Sequence, residues 1–182
     1  MSLIDTSYRI PFRINYVNNL LDQIISGGGQ QGILLETLVW HLIRTIPSLQ
    51  PISRTLGKGG EVDIRVRNSG PFGQPLKWMD DYFLVECKDT NDRVSEKEFG
   101  HFLTKMLLNK TNQGIIVSRN GLAGRGKYVY ASRDQKIAYS QLNMVVLDIS
   151  ISNLQNLRST MDFLLLLQKK YESLRFGVKE NE

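Results

Sequence analysis

Hydrophobic residues recur at helical spacing in the first quarter of the chain, where two helices are predicted. Residues 11–26 predict the first helix, with Pro11 near its start and the glycines of 27–29 at its end. The second helix carries a regular apolar stripe that Pro47 ends. The stripe contains Leu34, Leu35, Leu38, Val39, Leu42, Ile43 and Ile46. This spacing predicts a helix that buries one side.

Short runs of apolar and β-branched residues predict five strands farther along the chain. The first two, 51–56 and 61–67, flank a glycine-rich connection and predict a hairpin. Within the second, apolar residues alternate with charged ones, which is typical of a half-buried strand. The remaining strands are predicted at 81–88, 114–118 and 143–149.

Three further helices are predicted between and after these strands. Ser95 and Glu98 have capping-box spacing at the start of one helix. Residues 127–141 predict a second helix, and 153–175 predict a long amphipathic third one. The apolar side of the long helix is expected to contain Leu154, Leu157, Met161, Leu164 and Leu165.

The order of these elements favours a single α/β domain over residues 1–182, with a mixed central sheet of about five strands flanked by helices. Its core is expected at about 31–149, with helices 11–26 and 153–175 as additions. A length of 182 residues with 41% apolar and 23% charged residues fits one globular domain.

Composition excludes several classes of protein. Cys87 is the single cysteine and there are two histidines, so neither a disulfide framework nor a closed zinc site is expected. No stretch approaches a membrane span and the N-terminus lacks a signal-peptide core, so we expect a cytoplasmic protein without a membrane partner. The net charge of +5 favours a polyanionic partner only mildly.

Charged residues interrupt two of the predicted strands where apolar ones are expected. The apolar run 83–85 leads directly into Glu86-Cys87-Lys88, where strand alternation puts Glu86 and Lys88 on one face and Cys87 on the other. Asp63 lies in mid-strand between two apolar neighbours. If the two strands pair, Asp63 and Glu86 approach each other and repel unless a cation lies between them. Magnesium suits such a site. A Glu86–Lys88 salt bridge is the alternative, and it leaves Asp63 unexplained.

The ordered set of Asp63 and Glu86-Cys87-Lys88 resembles the signature of the PD-(D/E)xK nuclease superfamily, whose fold is restriction-endonuclease-like. Within it the chain looks most like the Mrr-type and archaeal Holliday-junction resolvase group, through residues 59–66, 83–89 and 114–121. The resemblance covers roughly 31–149. Val62 stands where the family usually has a proline.

This resemblance implies a Mg²⁺-dependent endonuclease that cuts DNA in restriction, defence or repair, with Mn²⁺ as a substitute. Asp63, Glu86 and the backbone carbonyl of Cys87 would hold the metal, and Lys88 would orient or activate the attacking water. Glu36, on the preceding helix, would be a fourth catalytic residue and a further metal ligand, and an ordinary exposed helix glutamate is the alternative for this position. Glu61 is the rival to Asp63.

Several residues stay unassigned from the sequence alone. Lys97 and Lys105 lie on the helix after the motif, where relatives carry an extra polar residue, and neither stands out. His101 is expected at the surface and His41 in a structural role.

The expected partner is DNA, bound mainly through its phosphates by scattered basic residues. These residues are Arg54, Lys58, Arg65, Arg67, Arg119, Arg125, Lys127, Arg133 and Lys136. A homodimer is expected through helix 153–175, which could instead cover the sheet, and a partner protein could supply sequence recognition. Two alternatives remain: a nuclease-fold domain that binds DNA or protein without cutting, and a plain α/β interaction module.

Overall fold

The computed structural model describes residues 10–27, 31–47, 49–52, 55–57, 60–68, 76–124 and 131–177. The helices are α1 (Ile14–Ser26), α2 (Gln31–Thr45), α3 (Glu96–Leu108), α4 (Ala131–Leu142), α5 (Ile151–Leu154) and α6 (Thr160–Phe176). The strands are β1 (Leu49–Ile52), β2 (Thr55–Gly57), β3 (Gly60–Val62), β4 (Ile64–Asn68), β5 (Tyr82–Lys88), β6 (Gln113–Ser118) and β7 (Val145–Ser150).

The central sheet has five strands in the order β1-β4-β5-β6-β7. β1, β4 and β5 pair antiparallel, whereas β5, β6 and β7 pair parallel. Parallel neighbours need a crossover connection, and α3 and α4 provide the two that this half requires. The mixed α/β sheet flanked by helices, as predicted from the order of elements, is therefore confirmed.

The two faces of the sheet are covered by different helices. A larger apolar cluster joins β5 to α1, α2 and α6, and it includes Val85, Val17 and Phe163. A smaller cluster on the other face joins β5 to α3 and α4, and it includes Leu84 and Phe102. The helices at both ends of the chain therefore contribute to the larger cluster. No helix in the described part of the chain is long and apolar enough to cross a membrane.

The ends of the first predicted helix follow from backbone conformation. Arg13 is extended, with φ −114° and ψ 95°, so α1 begins at Ile14 rather than near Pro11. Gly27 adopts the left-handed conformation, with φ 73°, and its amide closes the last turn as predicted.

The predicted hairpin is present, but its described strands are divided between two sheets. β1 pairs with β4, while β2 pairs with β3 as a separate two-stranded sheet. Val62 packs into the smaller cluster and Ile64 into the larger one. Residues two apart in a continuous strand point to the same face, so this change of face requires a bend between them. Asp63 occupies that bend, and its predicted position in mid-strand is wrong.

A single helix over 153–175 is also wrong, because the chain forms α5 and α6 with a break between them. Ser159 is extended, with φ −153°, and its hydroxyl caps α6 by accepting from the amide of Asp162. Phe163 and Leu167 are the buried residues of α6, whereas Met161 and Leu165 are 60% and 49% exposed. The prediction that Met161 and Leu165 lie on the buried apolar side of this helix was therefore wrong.

One other boundary shifts, and a second cannot be compared with the prediction over its full length. Asn143 has a φ of 53°, which no strand accommodates, so the last strand begins at Val145 instead of residue 143. α4 begins at Ala131, and the predicted helical residues 127–130 lie outside the described part of the chain.

Candidate active site

The end of β5 places Glu86 and Lys88 on the face that α3 covers, as strand alternation predicted. The Lys88 ammonium lies 3.0 Å from Glu86 Oε1. Cys87 points to the opposite face, where it packs against the larger apolar cluster. Glu86 is buried, with 4% of the residue exposed, whereas 30% of the Lys88 side chain is exposed. Solvent and any substrate therefore reach this pair from the Lys88 side.

Glu86 has a second cationic partner that comes from α3. Lys105 Nζ donates to both Glu86 oxygens at 2.9 Å, and the Lys105 side chain is 9% exposed. A buried carboxylate is costly unless it is paired and hydrogen-bonded. Lys105 satisfies this requirement and fixes the orientation of the carboxylate.

The bend between β3 and β4 brings Asp63 beside the same strand. Ile64 pairs with Val85, so the next position of the register places Asp63 opposite Glu86. Asp63 Oδ2 accepts a hydrogen bond from the amide of Cys87 at 2.7 Å. The two acids therefore meet across β4 and β5, and the bend lets Asp63 turn its carboxylate towards the β5 backbone.

The electrostatic environment of Asp63 disfavours its charged form. Burial and then the neighbouring Glu86 charge raise its pKa from 3.8 to about 6, and Glu36 adds a smaller effect in the same direction. The hydrogen bond from Cys87 and the charge of Lys105 act in the opposite direction without cancelling the increase. Asp63 and Glu86 thus form a coupled pair of acids, as expected of carboxylates that need a cation.

Lys88 remains a cation at neutral pH. Burial acts to lower its pKa, but the hydrogen bond to Glu86 and the charges of Glu86, Asp63 and Glu98 outweigh burial and raise the pKa. A lysine with a raised pKa is a poor general base. It can donate hydrogen bonds and stabilise negative charge.

The Cys87 thiol has no sign of activation. Burial raises its pKa, and the charges of Asp63, Glu36 and Glu86 raise it further. A thiol in such surroundings stays protonated and is a weak nucleophile. The contribution of Cys87 to this region is through its backbone.

Glu36 lies on α2, half-buried, and its charge reaches Asp63 across the space between α2 and the β3–β4 bend. Its assignment as a fourth site residue stays a prediction. Glu61, the rival to Asp63, lies on β3 with an exposed side chain and pairs with Leu56. Burial and the contact with β5 thus distinguish Asp63 from Glu61.

The two acids suit a magnesium ion by donor type and by remaining acceptor capacity. Each carboxylate oxygen offers about two lone pairs. Glu86 Oε1 accepts from both lysines, whereas Oε2 accepts from Lys105. One acceptor position therefore remains on Glu86 Oε2, and more remain on Asp63. No group of three His, Cys, Asp or Glu side chains in the described residues is arranged to hold a metal. Two carboxylates with waters and phosphate oxygens are nevertheless a common magnesium environment.

Among the predicted phosphate-contacting residues, some have protein partners in the described part of the chain. Arg119 pairs with Asp89 at 2.9 Å and donates to the carbonyl of Ile24, and Arg65 donates to Asn109. Arg67 donates to the Tyr82 hydroxyl. Four more lie outside the described residues: Arg54, Lys58, Arg125 and Lys127.

Two basic residues, Arg133 and Lys136, are exposed on α4. The histidines differ, because His101 is exposed as predicted and His41 is buried.

Lys105 is the site residue that the sequence did not single out, although a signal was present. It lies three residues after Phe102 and directly before Met106, both of which are buried in the smaller cluster. A lysine inside the buried stripe of a helix needs an anionic partner. That position distinguishes it from the exposed Lys97.

Comparisons with known proteins provide one distant match. No protein-family model matches the chain, and no curated protein matches it. The chain is similar to a solved structure named as the DNA modification-dependent restriction endonuclease AspBHI, with 12% identity and a TM-score of 0.47. The match covers 97% of this chain and 44% of that chain, so this chain spans less than half the length of that protein. At this level of similarity, function has to be argued from the site itself.

Proposed function

We propose that this chain is a metal-dependent endonuclease that hydrolyses phosphodiester bonds in DNA at a site formed by Asp63, Glu86 and Lys88. One observation carries the proposal: two acids on neighbouring strands meet beside a partly exposed lysine, and the pKa of Asp63 is raised to about 6 by burial and by Glu86. An α/β interaction module has no use for such an arrangement.

Magnesium, with manganese as a substitute, is the proposed cofactor. Asp63 and Glu86 would hold it, with the Cys87 carbonyl as the further ligand that the family resemblance implies. Glu36 stays a prediction, because it does not form a three-acid group with Asp63 and Glu86 among the described residues. When bound, the ion polarises the scissile phosphate and lowers the pKa of a coordinated water. A cation beside Asp63 also favours the ionised carboxylate, which burial and Glu86 oppose.

Lys88 contributes positive charge to the reaction. Its ammonium reaches solvent next to Glu86, where it can donate a hydrogen bond to a water or to a phosphate oxygen. Because its pKa is raised, Lys88 does not take the proton from the water. Its role is to orient the nucleophile and to stabilise the charge that develops on the phosphate.

Lys105 acts through Glu86 rather than on the substrate. Its two hydrogen bonds hold the Glu86 carboxylate in one orientation. Its buried charge also acts to lower the pKa of Asp63, the other acid of the pair. The supporting residue therefore comes from α3, whose start is fixed by the Ser95–Glu98 capping box. A rigid arrangement of this kind is what an efficient site requires of its supporting residues.

DNA would be held mainly through its phosphates, to which the exposed Arg133 and Lys136 could contribute. A homodimer and a recognition partner stay predictions. The exposed Met161 and Leu165 on α6 support a surface for a second copy, which cleavage of both strands would require.

Plasmid nicking tests the proposal. Wild-type protein should convert supercoiled DNA to nicked or linear DNA with Mg²⁺ or Mn²⁺ and leave it intact with EDTA. Ca²⁺ should permit binding without cleavage. Lys88→Met should lower the rate at least about 100-fold, while Lys97→Met, an exposed lysine on α3, should keep it. Equal cleavage by both variants would overturn the assignment and indicate a contaminating nuclease.

A nuclease-fold domain that binds DNA without cutting is the second candidate. The observation in its favour is that Lys105 engages both oxygens of Glu86, which already balances this acid without a metal. Fluorescence anisotropy on a labelled duplex distinguishes the two. The binding-only candidate predicts metal-independent affinity, no product at any metal concentration and no effect of Lys88→Met.

A further inference from the structure

A second concave site lies away from the candidate active site, between α1 and α2. It is a cavity of about 410 Å³, and its walls include Arg13, the residue before α1, and Tyr16 from α1, with Trp40, His41 and Arg44 from α2. This volume falls in the range of small-molecule pockets. Arg44 lies three positions after His41 and four after Trp40, so it shares a helix side with each of them. Neither Asp63 nor Glu86 lines this cavity, so an inference about it is independent of the proposed nuclease function.

His41 gives the cavity an unsatisfied polar group. The residue is 7% exposed, and its Nε2 is buried without a hydrogen-bond partner among the described residues. The Tyr16 ring meets the imidazole edge-on, with 4.8 Å between the ring centroids. Buried polar atoms in native proteins nearly always have a partner. A ligand in the cavity that offers a polar edge would provide one.

The charge of the cavity indicates an anion. Arg13 and Arg44 both line it, and none of the described lining residues is acidic. Burial lowers the pKa of His41, and the two arginine charges lower it further, so the imidazole is neutral near pH 7. Guanidinium groups bind phosphate and carboxylate through paired hydrogen bonds. The Arg13 guanidinium in the cavity wall can therefore attract a negatively charged group.

The remaining wall is aromatic. Trp40 is half-buried and packs partly on the core, and Tyr16 is 41% exposed. Rings in this setting stack on planar ligands, and nucleobases are the common biological example. A neutral imidazole nitrogen hydrogen-bonds a base edge as donor or acceptor, depending on its tautomer.

We propose that the cavity between α1 and α2 binds a nucleoside monophosphate unit. Its phosphate would lie against Arg13, its base would contact Tyr16 and Trp40, and His41 Nε2 would hydrogen-bond the base edge. The unit could be a free nucleotide or the 5′-phosphorylated terminal nucleotide of a DNA strand. Both sources present the same phosphate and base.

Isothermal titration calorimetry on the full chain tests this proposal. The probes are the four deoxynucleoside monophosphates, inorganic phosphate and deoxyadenosine. At least one monophosphate should bind at least tenfold more tightly than phosphate or deoxyadenosine. Equal affinity for inorganic phosphate would reduce the cavity to a simple anion site and overturn the proposal, as would the absence of monophosphate binding.

Matched variants locate the binding. His41→Phe keeps an aromatic ring and removes the nitrogen, and Arg13→Gln removes a charge at an exposed position. Each should weaken monophosphate binding at least tenfold, whereas Arg93→Gln, at an exposed position before α3, should not. His41→Gln is the second variant at that position if the phenylalanine impairs folding. Unchanged affinity in folded His41 and Arg13 variants would contradict the assignment.

Two further experiments are needed. One distinguishes a free nucleotide from a DNA end as the bound unit, and the other separates binding in this cavity from cleavage at the candidate active site. A 5′-phosphorylated decathymidylate that binds as tightly as the mononucleotide, and more tightly than its 5′-hydroxyl form, identifies a DNA end. Failure of that oligonucleotide, with mononucleotide binding retained, identifies a free nucleotide. Both results support the proposal that the cavity binds a nucleoside monophosphate unit. Asp63→Asn should leave this binding intact, so loss of cleavage and loss of the pocket remain distinguishable.

Discussion

Two buried acids at the end of β5, Glu86 and Asp89, have different surroundings although they are three residues apart. The Asp89 side chain is 1% exposed and pairs with Arg119, whose Nε and Nη2 reach one oxygen at 3.0 and 2.9 Å. Arg119 also donates to the carbonyl of Ile24 near the end of α1. This pair is a connection within the fold, and it joins the loop after β5 to a helix end.

Glu86 belongs to a larger cluster that is open at one side. It binds Lys105 on the buried side and Lys88 on the partly exposed side, and Asp63 lies beside it. In the Asp89 pair, Arg119 engages one oxygen of the carboxylate, whereas Oδ2 is buried without a hydrogen-bond partner among the described residues. Both lysines of this cluster engage Glu86, whereas Asp63 accepts a hydrogen bond from the Cys87 amide. The charge of Asp63 and the solvent access beside Lys88 are available to a ligand, which is why we assign chemistry to the Glu86 cluster and a structural role to Asp89.

Removing the cationic partner of each buried acid, Lys105 for Glu86 and Arg119 for Asp89, should have the largest effect on stability. Lys105→Met leaves Glu86 with Lys88 alone, and Arg119→Met leaves Asp89 buried without its partner. Each change should lower the free energy of unfolding by about 3–5 kcal/mol, because a buried charge loses compensation. Urea denaturation measures the loss.

Cleavage per folded molecule then separates the two clusters. It should fall at least about tenfold in Lys105→Met, since the orientation of Glu86 is lost, and stay unchanged in Arg119→Met. Equal activity of the two folded variants would mean that Lys105 has a structural role only.

The pH dependence of stability should show a smaller effect that arises from Asp63. Its folded pKa of about 6 exceeds the unfolded value of 3.8, so the folded state binds this proton more tightly. The resulting stabilisation is full below about pH 4 and is lost as the pH rises through 6. Relative to Asp63→Asn, the wild type should lose about 1–2 kcal/mol between these limits, after allowance for partial solvent screening.

Urea unfolding at pH 4, 5, 6 and 7 provides this comparison, with Asp92→Asn, an exposed acid, as the control. A wild-type profile parallel to that of Asp63→Asn would show that Asp63 has no raised pKa.

The smallest effect is expected at the start of α3, the helix that carries Lys105. Ser95 accepts from the amide of Glu98, and Glu98 accepts from the amide of Ser95. Ser95→Ala should lower the free energy of unfolding by about 1 kcal/mol without changing cleavage per folded molecule. Thermal denaturation measures the first quantity. A loss of activity larger than the loss of stability would mean that the cap itself positions Lys105.

Features with local signals could be predicted from the sequence. The apolar stripe of α2 ends before Pro47, and the Ser95–Glu98 spacing gives a capping box, because each depends on residues within one or two turns. Strand alternation likewise predicted the common face of Glu86 and Lys88. These signals need no knowledge of distant contacts.

Features that depend on tertiary contacts could not be predicted in the same way. The chain bends at Asp63 because Val62 and Ile64 pack into different clusters. In the sequence, both residues fit the two-residue alternation of a single strand, so the pattern did not indicate the bend. The pairing of Lys105 with Glu86 links α3 to β5. The start of α6 depends on the extended Ser159, which caps this helix five residues after α5 ends at Leu154.

Cleavage of a labelled DNA duplex by Asp63→Asn tests the central assignment most directly. The substitution keeps the shape of the side chain and its capacity to accept from the Cys87 amide, while removing the charge. In Mg²⁺ at pH 7.5, we predict a rate at least about 100-fold below wild type, with stability equal to or above that of wild type. A folded Asp63→Asn protein that cuts at the wild-type rate would contradict the account.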